Sequence, residues 1–532
     1  MTITTAKRLL LPRPLCLPPL CLPPLCLTPL AAALLVALPA HAEWKVNPSV
    51  SLSESYSDNV NQRSDDTKRS SWITEVSPSI TAEAHSSRVD FSANARAYYY
   101  KYSEDNVPGV QDHQYQYDAS GRVNVVDQLF YVDASAGASS RSISAFGPLA
   151  EDPNGNRYTS DNQTDVKTWR ISPYLTHRFG TFATGILRYS HDSVTSDSSS
   201  IFGDSTADGI TLDIASGTGF RSVGWNLHVA RQDTDNENFG DTSAQNATLG
   251  VSYRVGPTLN LTATGGYDKY DYQALGGKTS GASWSVGFGY APSPRTNIQM
   301  SIGRHYLGNT GSLLALHRSR HSTWKLGYSD AVTTSRSQFS LPAAIDTAAM
   351  LDSLFASTIP DPIQRRQAVE AYILAAGLPP SLADNINYLT NRYMRQKLLQ
   401  ASAAFDWRHS SAVLSAYASE RTALSSSESD SGLLGSQLRA LNDSVRQTGL
   451  TGSYSYRLSA RSTAVAALSA THARSLDTDL SGKQNSLRLG LTHRFGRSVR
   501  GSLEYRRTNG DSEITRRDYT ENAITATVTV QL

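Results

Sequence analysis

Ser283 to Tyr290 reads SWSVGFGY: Trp284, Val286, Phe288 and Tyr290 fall on one side of an extended chain, and Ser283, Ser285, Gly287 and Gly289 on the other. Side chains of a strand point alternately to opposite faces, so this run predicts a ribbon with one greasy face and one small or wet face. Ser486 to Thr492 repeats the pattern as SLRLGLT, with Leu487, Leu489 and Leu491 opposite Ser486, Arg488, Gly490 and Thr492. Working outward, the same unit recurs from Glu43 to Leu532: some ten alternating residues, a turn, then another such run. A single run fits a soluble sandwich as well as a membrane barrel. Its repetition predicts an all-β fold, a transmembrane antiparallel up-and-down β-barrel of about 22 strands (range roughly 18–24) with its apolar face toward lipid.

The runs pair through connections that are alternately short and long. Trp72 to Ala84 and Val89 to Tyr100 are joined by His85-Ser86-Ser87-Arg88, and a polar loop around Glu104 to Asp112 follows. Tyr115 to Val125 and Leu129 to Ala136 make the next hairpin, before a long Gly/Pro/Asn-rich stretch from Ser140 to Asp165. The rhythm continues through Trp169–Tyr189, Ile210–Val229, Ala247–Tyr267, Trp284–Ile302, Leu399–Tyr417, Leu450–Ala470, Leu487–Tyr505 and Tyr519–Leu532. Short turns on one side and long loops on the other predict periplasmic and extracellular rims. Leu175-Thr-His-Arg-Phe-Gly180 recurs as Leu491-Thr-His-Arg-Phe-Gly496. Aromatic rings beside arginine suit a lipid headgroup boundary; a repeated hairpin turn with solvated arginine is the plainer reading. The last strand alternates through Ile524, Ala526, Val528, Val530 and Leu532, although barrels of this kind more often end in phenylalanine.

Residues 1–42 read as a signal peptide: Lys7, Arg8 and Arg13 precede an apolar stretch, Leu27 to Leu38, and Ala40-His41-Ala42 offers a small-x-small cleavage site. The Leu-Pro-Pro-Leu-Cys repeat at Leu17 to Cys26 is unusual for such a segment and leaves the start codon open. Cys16, Cys21 and Cys26 are the only cysteines, so the chain after residue 42 has none and can form no disulfide or thiolate site. Three of the 49 basic residues and none of the 47 acidic ones lie in that segment, so the remaining 490 residues carry 46 positive against 47 negative charges. That balance argues against nucleic acid as a partner. No later stretch has the apolar length of a spanning helix, so entry into a membrane requires a closed sheet.

Alternation stops once, between Leu341 and about Arg395, where the period lengthens to that of a helix. Asp346 can cap a first helix through Leu351, Leu354 and Phe355. Asp361 with Pro362 starts a second through Val369, Tyr372 and Ile373, and Ser381 with Asp384 starts a third through Ile386 and Leu389. This helical insertion, about 343–391, follows an odd-numbered strand and so begins on the long-loop side. A wide barrel has a lumen that its own side chains do not fill. The insertion is therefore expected as a plug or gate, with Arg365, Arg366, Glu370, Arg392 and Arg395 facing the channel; a helical cap outside the mouth is the alternative.

Chemistry-bearing patterns are sparse, and no catalytic residue, cofactor site or metal site is assigned. His317 and His321 share the i, i+4 spacing of a helical metal pair, but their surroundings read as loop and strand. No Gly-x-Ser-x-Gly elbow is present. The Asp/Asn-rich stretches Ser57 to Asp66 and Asp152 to Gln163 lack the spacing of a calcium loop. The expected class is non-enzymatic.

Three segments carry a family likeness: Ser53-Glu-Ser-Tyr-Ser-Asp-Asn-Val60, Trp72-Ile-Thr-Glu-Val-Ser-Pro-Ser-Ile80, and Ile359-Pro-Asp-Pro-Ile-Gln-Arg-Arg-Gln-Ala-Val-Glu-Ala-Tyr-Ile373 in the insertion. They resemble the outer-membrane β-barrel family associated with the PEP-CTERM/exosortase system of Gram-negative bacteria, found with exopolysaccharide loci. The resemblance implies a bacterial outer-membrane, porin-like channel linked to exopolysaccharide export or exosortase-linked surface systems. It implies as partners outer-membrane lipid, the barrel-insertion machinery, polysaccharide and periplasmic export components. A structural or assembly barrel binding partners through its loops, and an outer-membrane hydrolase, are the alternative functions.

Overall fold

The alternating runs are realised as twenty-two strands in one sheet, each antiparallel to its chain neighbour, with the first paired to the last. The computed structural model describes the unit Glu43–Leu532 except residues 150–155, 198–202, 238–239, 273–274, 276–277, 341–350, 352–368, 370–387, 427–440, 442 and 514–516. The segment read as a signal and most of the 343–391 insertion lie outside the described residues, including the three helix starts at Asp346, Asp361 and Ser381.

The chain begins β1 (Glu43–Ser57), β2 (Ser71–His85), β3 (Val89–Tyr102), β4 (His113–Val126), β5 (Phe130–Ser142) and β6 (Gln163–Phe179). It continues β7 (Ala183–Ser196), β8 (Ser205–Ser216), β9 (Val223–Asn236), β10 (Thr242–Arg254), β11 (Leu259–Asp271) and β12 (Ser280–Ser293). β13 (Thr296–His305), β14 (Gly308–Arg318) and β15 (Ser322–Thr333) lead into a short helix, α1 (Ser335–Ser340). The ring is completed by β16 (Met394–Asp406), β17 (Ser410–Ala423), β18 (Ser444–Arg457), β19 (Ser462–Ser475), β20 (Ser481–Arg494), β21 (Val499–Ser512) and β22 (Arg517–Gln531).

Closure removes every sheet edge, the one way a sheet can lie in lipid without orphaned backbone groups. No described helix is long and apolar enough to cross a membrane. The predicted faces hold: Trp284, Val286, Phe288, Tyr290, Leu487, Leu489 and Leu491 are all exposed. Phe288 stands beside Met300 and Val286 beside Ile302 across the β12–β13 ladder, extending the greasy face from strand to strand. In water such a continuous patch would drive aggregation; on a barrel it is the lipid-facing band. Aromatic pairs edge the band. Tyr56 and Trp72 meet at the long-loop rim with ring centroids 5.2 Å apart, and Phe405 lies between Trp324 and Trp407 at the short-turn rim. The twice-used LTHRFG turn makes one contact twice: His177 meets Phe179 edge-on at 4.6 Å, and His493 meets Phe495 likewise at 4.8 Å.

Many inward positions are small, and some glycines are dictated by a neighbour. Tyr417 is paired with Gly449 across β17–β18, and a Cβ on Gly449 would occupy the tyrosine ring. Gly449→Val is expected to push Tyr417 off its packing with Leu398 and to cost about 1–3 kcal/mol by overpacking. The check is the urea midpoint of refolding into lipid; an unchanged midpoint would show that the ring is free to move.

One hairpin is not marked by alternation. In β14, Leu313-Leu314-Ala315-Leu316 is apolar on both faces, so the period of two is lost. Its junction with β13 lies on the long-loop side yet contains only Tyr306 and Leu307.

Candidate functional site

The lumen is built from the inward face of every strand, and around much of the ring that face carries hydroxyls paired across the ladder. Ser51 meets Thr529 at 2.8 Å, Ser53 meets Thr527 at 2.9 Å and Ser55 meets Thr525 at 2.8 Å on the closing β1–β22 pair. Ser92–Ser120, Thr264–Ser285, Ser301–Ser312 and Ser469–Ser486 repeat the arrangement elsewhere. Each hydroxyl has a partner in the wall, and a hydroxyl can both donate and accept.

The described parts of the β5–β6 connection, residues 143–149 and 156–162, turn into this lumen. Asn162 forms its neck: its side chain accepts from the Ser144 N–H at 2.9 Å and donates to the Ser144 and Pro148 carbonyls, both at 2.9 Å. The connection then reaches walls far from its own. The Phe146 carbonyl accepts from Ser512 Oγ on β21 at 2.7 Å, and the Leu149 N–H donates to Gln484 Oε1 on β20 at 3.2 Å. Phe146 packs in a buried cluster with Val445 of β18 and Ala473 of β19. On the return, Asn156 Nδ2 donates to Glu521 Oε1 at 3.0 Å and to the Val60 carbonyl at 2.9 Å, and Tyr158 OH meets Ser55 Oγ at 3.0 Å.

The described ends of the insertion also run inward. Thr334 caps α1: its Oγ1 accepts from the Ser337 N–H at 3.1 Å, while Ser337 Oγ accepts from the Thr334 N–H at 3.0 Å. From α1, Arg336 reaches β7 and β8, donating to Asp192 Oδ2 at 2.6 Å and to the Ser205 carbonyl at 2.8 Å. Burial pushes this guanidinium down from its ordinary range, and the Asp192 carboxylate opposes that. At the other end, Tyr388 bridges Ser142 at the end of β5, and the Leu389 N–H donates to the Ser142 carbonyl at 2.9 Å. Tyr388 joins the Phe146 cluster, and the Arg421 guanidinium of β17 lies 4.7 Å from its ring centre. Two inward segments thus meet on Phe146 and Tyr388. Leu351 and Val369, helical and buried, are the described residues between them.

Of the five side chains expected to face the channel, Arg365, Arg366 and Glu370 lie outside the described residues. Arg392 is fully buried, its guanidinium bound to the Ser425 carbonyl at 2.6 and 2.9 Å and to Asp443. Arg395 is on the other face of the wall. It has the parity of exposed Leu399 on β16, which is the lipid-facing set, and it pairs there with Asp330 at 2.7 Å. Sequence reading missed the β5–β6 segment. The available signal was Ile143, Phe146, Leu149 and Tyr158, large apolar side chains in a mostly polar loop.

Two further arginines complete the buried set. Arg506 of β21 pairs with the wholly buried Glu521 at 3.1 Å, and Glu521 also accepts from Ser57 Oγ at 2.7 Å and Gln62 Nε2 at 3.1 Å. Arg421 donates to Gln338 Oε1 at 2.8 Å, tying β17 to α1. Among the described residues, no group of three His, Cys, Asp or Glu side chains could hold a metal ion. His317 contacts Thr296 Oγ1 and His321 the Asp406 carbonyl, so the pair shares no ligand.

Comparison with known proteins adds the following. Residues 42–206 match the family described as "Putative beta-barrel porin 2". No protein of curated function matches the chain. Among solved structures, the chain is similar to the siderophore receptor PirA from Pseudomonas aeruginosa at 10% identity and a TM-score of 0.37, over 92% of this chain and 80% of that one. It is similar to the FrpB iron transporter from Neisseria meningitidis (F5-1 variant) at 9% identity and a TM-score of 0.37, over 94% and 84%. It is similar to Pseudomonas aeruginosa OpdK with vanillate at 8% identity and a TM-score of 0.32, over 92% and 99%. The protein is a closed antiparallel barrel of 22 strands in the bacterial outer membrane, similar over residues 42–206 to that family.

Proposed function

We propose that the barrel is a gated channel for a hydrated, weakly charged glycan chain, serving exopolysaccharide export or an exosortase-linked surface system. Residues 1–42 then act as its export signal. The observation that carries the reading is the lumen wall of paired serine and threonine hydroxyls with glycine between them. Such a wall offers many weak, exchangeable hydrogen bonds, and its inward charges are held in pairs such as Arg122–Asp133, Arg170–Asp192 and Arg488–Glu504, which suits a polymer that has to slide rather than stay bound. The gate comprises residues 143–162 and the 343–391 insertion, meeting at Phe146 and Tyr388.

Planar-bilayer recording of the purified barrel, with and without residues 343–391, tests this reading. Deletion is expected to raise conductance, and neutral oligosaccharide added to the shortened protein is expected to block current reversibly. A deletion strain is expected to lose secreted polymer. Unchanged conductance and unchanged polymer would instead favour a structural or assembly barrel with a permanently filled lumen. The four deeply buried arginines, Arg336, Arg392, Arg421 and Arg506, give that second reading its support.

A further inference from the structure

Charge is divided unevenly between the two ends of the barrel. The ten short connections, each taken with two flanking strand residues on either side, hold thirteen arginines against three aspartates, Asp90, Asp127 and Asp406. Residues 43–532 are almost neutral in sum, so this excess is matched by an acidic excess over the rest of them. Part of it lies at the opposite rim: Asp235, Glu237 and Asp241 surround the β9–β10 connection, and Asp511, Glu513 and Asp518 the β21–β22 connection. The short-turn, periplasmic rim is the positive end of the wall.

Six of the thirteen have lumen parity. Arg318 is in step with the inward Ser312, Arg494 with Ser486 and Arg254 with its neighbour Asn260 beside Thr264. Arg457 stands opposite Thr463, in step with Ser469, and Arg500 stands opposite Thr529. Arg178 is in step with Arg170. All six are exposed, and four of them, on β6, β10, β14 and β18, recur at intervals of four strands. A chain threading the mouth meets a guanidinium whichever side it touches. Among the described residues, none of Arg178, Arg254, Arg457, Arg494 and Arg500 is in an ion pair.

Arg494 and Arg500 are directly opposite one another across β20–β21. Like charges so placed repel and destabilise the ladder. Deeper in the same ladder Arg488 stands opposite Arg506, but there Glu504 and Glu521 pair with them at 2.6 and 3.1 Å. At the mouth neither arginine has a carboxylate. Arg494 Nη2 donates instead to the Ala460 carbonyl at 3.3 Å, toward the turn that carries Arg461. An anion arriving from solution relieves a repulsion that the wall leaves uncompensated. Inner-leaflet phosphates meet the outer side of the wall, whereas arginines of lumen parity face what enters the barrel.

We propose that the periplasmic mouth is an arginine collar that collects an anionic glycan and feeds it into the hydroxyl-lined lumen. This rests on the glycan-channel reading and deepens it: the few charges of the chain are negative, and the chain enters from the periplasm. A ring of one sign concentrates a polymer of the other sign at the entrance and raises its rate of capture roughly 10- to 1000-fold at low salt. Exposed, hydrated arginines hold each charge only weakly. Beyond the collar the arginines have carboxylates of their own, so the chain moves on.

The test measures binding of fluorescent oligogalacturonate, and of a neutral dextran oligomer of equal length, to the full-length protein in phosphatidylcholine nanodiscs. Both rims are then open to solution. Oligogalacturonate is expected to bind about tenfold more tightly at low salt and to lose that advantage as salt is raised. Arg494→Gln with Arg500→Gln is expected to remove most of the advantage, and Arg494→Lys with Arg500→Lys to retain it. Arg295→Gln with Arg408→Gln, which takes as many charges from the turns, is expected to leave most of it. The urea midpoint of the Arg494→Gln, Arg500→Gln protein should hold or rise, since a like-charged pair has gone; a fall would mark the two as structural and overturn the collar. Equal affinity for the two oligomers, or equal losses in mouth and turn variants, overturns the collar and leaves the glycan channel standing. Binding of neither oligomer sinks both together. Heat-modifiable gel migration of each variant confirms that a closed barrel was present.

Discussion

Replacing residues 144–161 by a short Gly-Ser linker is expected to raise single-channel conductance several-fold while the barrel still inserts and closes. The wall does not need this segment for its own hydrogen bonding, because hydroxyls of β1 pair with those of β22, and hydroxyls of β19 with those of β20. The lumen does lose its crossing member: Phe146 on the β18–β19 wall, Leu149 on β20 and Tyr158 on β1 all leave together. Because Phe146 and Tyr388 share one buried cluster, removing either segment loosens the other. Conductance of the variant lacking both segments should then fall short of the product of the separate gains, as expected for elements in contact. Planar-bilayer recording of the three variants reads all of this. Equal conductance before and after linker replacement would show that the segment does not obstruct the passage.

Glu521→Ala is expected to give the largest loss of stability of any single change in the barrel. The carboxylate has no exposure and accepts from four side chains, Ser57, Gln62, Asn156 and Arg506, drawn from β1, the β1–β2 connection, the inward segment and β21. Removing it leaves the Arg506 charge buried without its carboxylate, a loss of about 3–5 kcal/mol. Urea-induced unfolding in lipid should show a lower midpoint. The inward segment loses one of its two anchors to the closing strands, so current noise should rise as well. Combining Arg506→Met with Glu521→Leu should recover much of the midpoint, since an apolar pair of similar volume avoids burying a lone charge. A midpoint unaffected by Glu521→Ala would mean that water reaches the site freely.

The strands were legible in the sequence because lipid on one face and water on the other impose a strict period of two on nearly every run. The exception was β14, where Leu314 and Leu316 face inward while Leu313 and Ala315 face outward, so that the pattern vanished. The inward course of residues 143–149 and 156–162 was not legible. A polar loop facing a wet lumen and one facing bulk water have the same composition, and the large apolar Ile143, Phe146, Leu149 and Tyr158 marked the difference. Arg395 was legible but was read by its neighbourhood and not by its parity: Lys397 and Leu399 are on the same face, and Leu399 looks at lipid. Arg392 was expected in a passage, whereas its donors are held by Ser425 and Asp443. Helix α1 had no apolar stripe to reveal it, only the Thr334–Ser337 reciprocal cap.

The hydroxyl pairs between the first and last strands bear on biosynthesis. These two strands lie at opposite ends of the sequence, so their meeting is the most non-local event in folding and the slowest to find. A slip of one residue would turn Ser51, Ser53 and Ser55 out into lipid. A slip of two would keep the faces but separate Ser57 from Glu521, and with it the anchor of the inward segment. The closing register thus has a checkpoint: the inward segment finds its full anchorage only once the ring has shut in the right frame. A mis-registered barrel would sit in the membrane as an unobstructed leak, which gives the cell a reason to cull it.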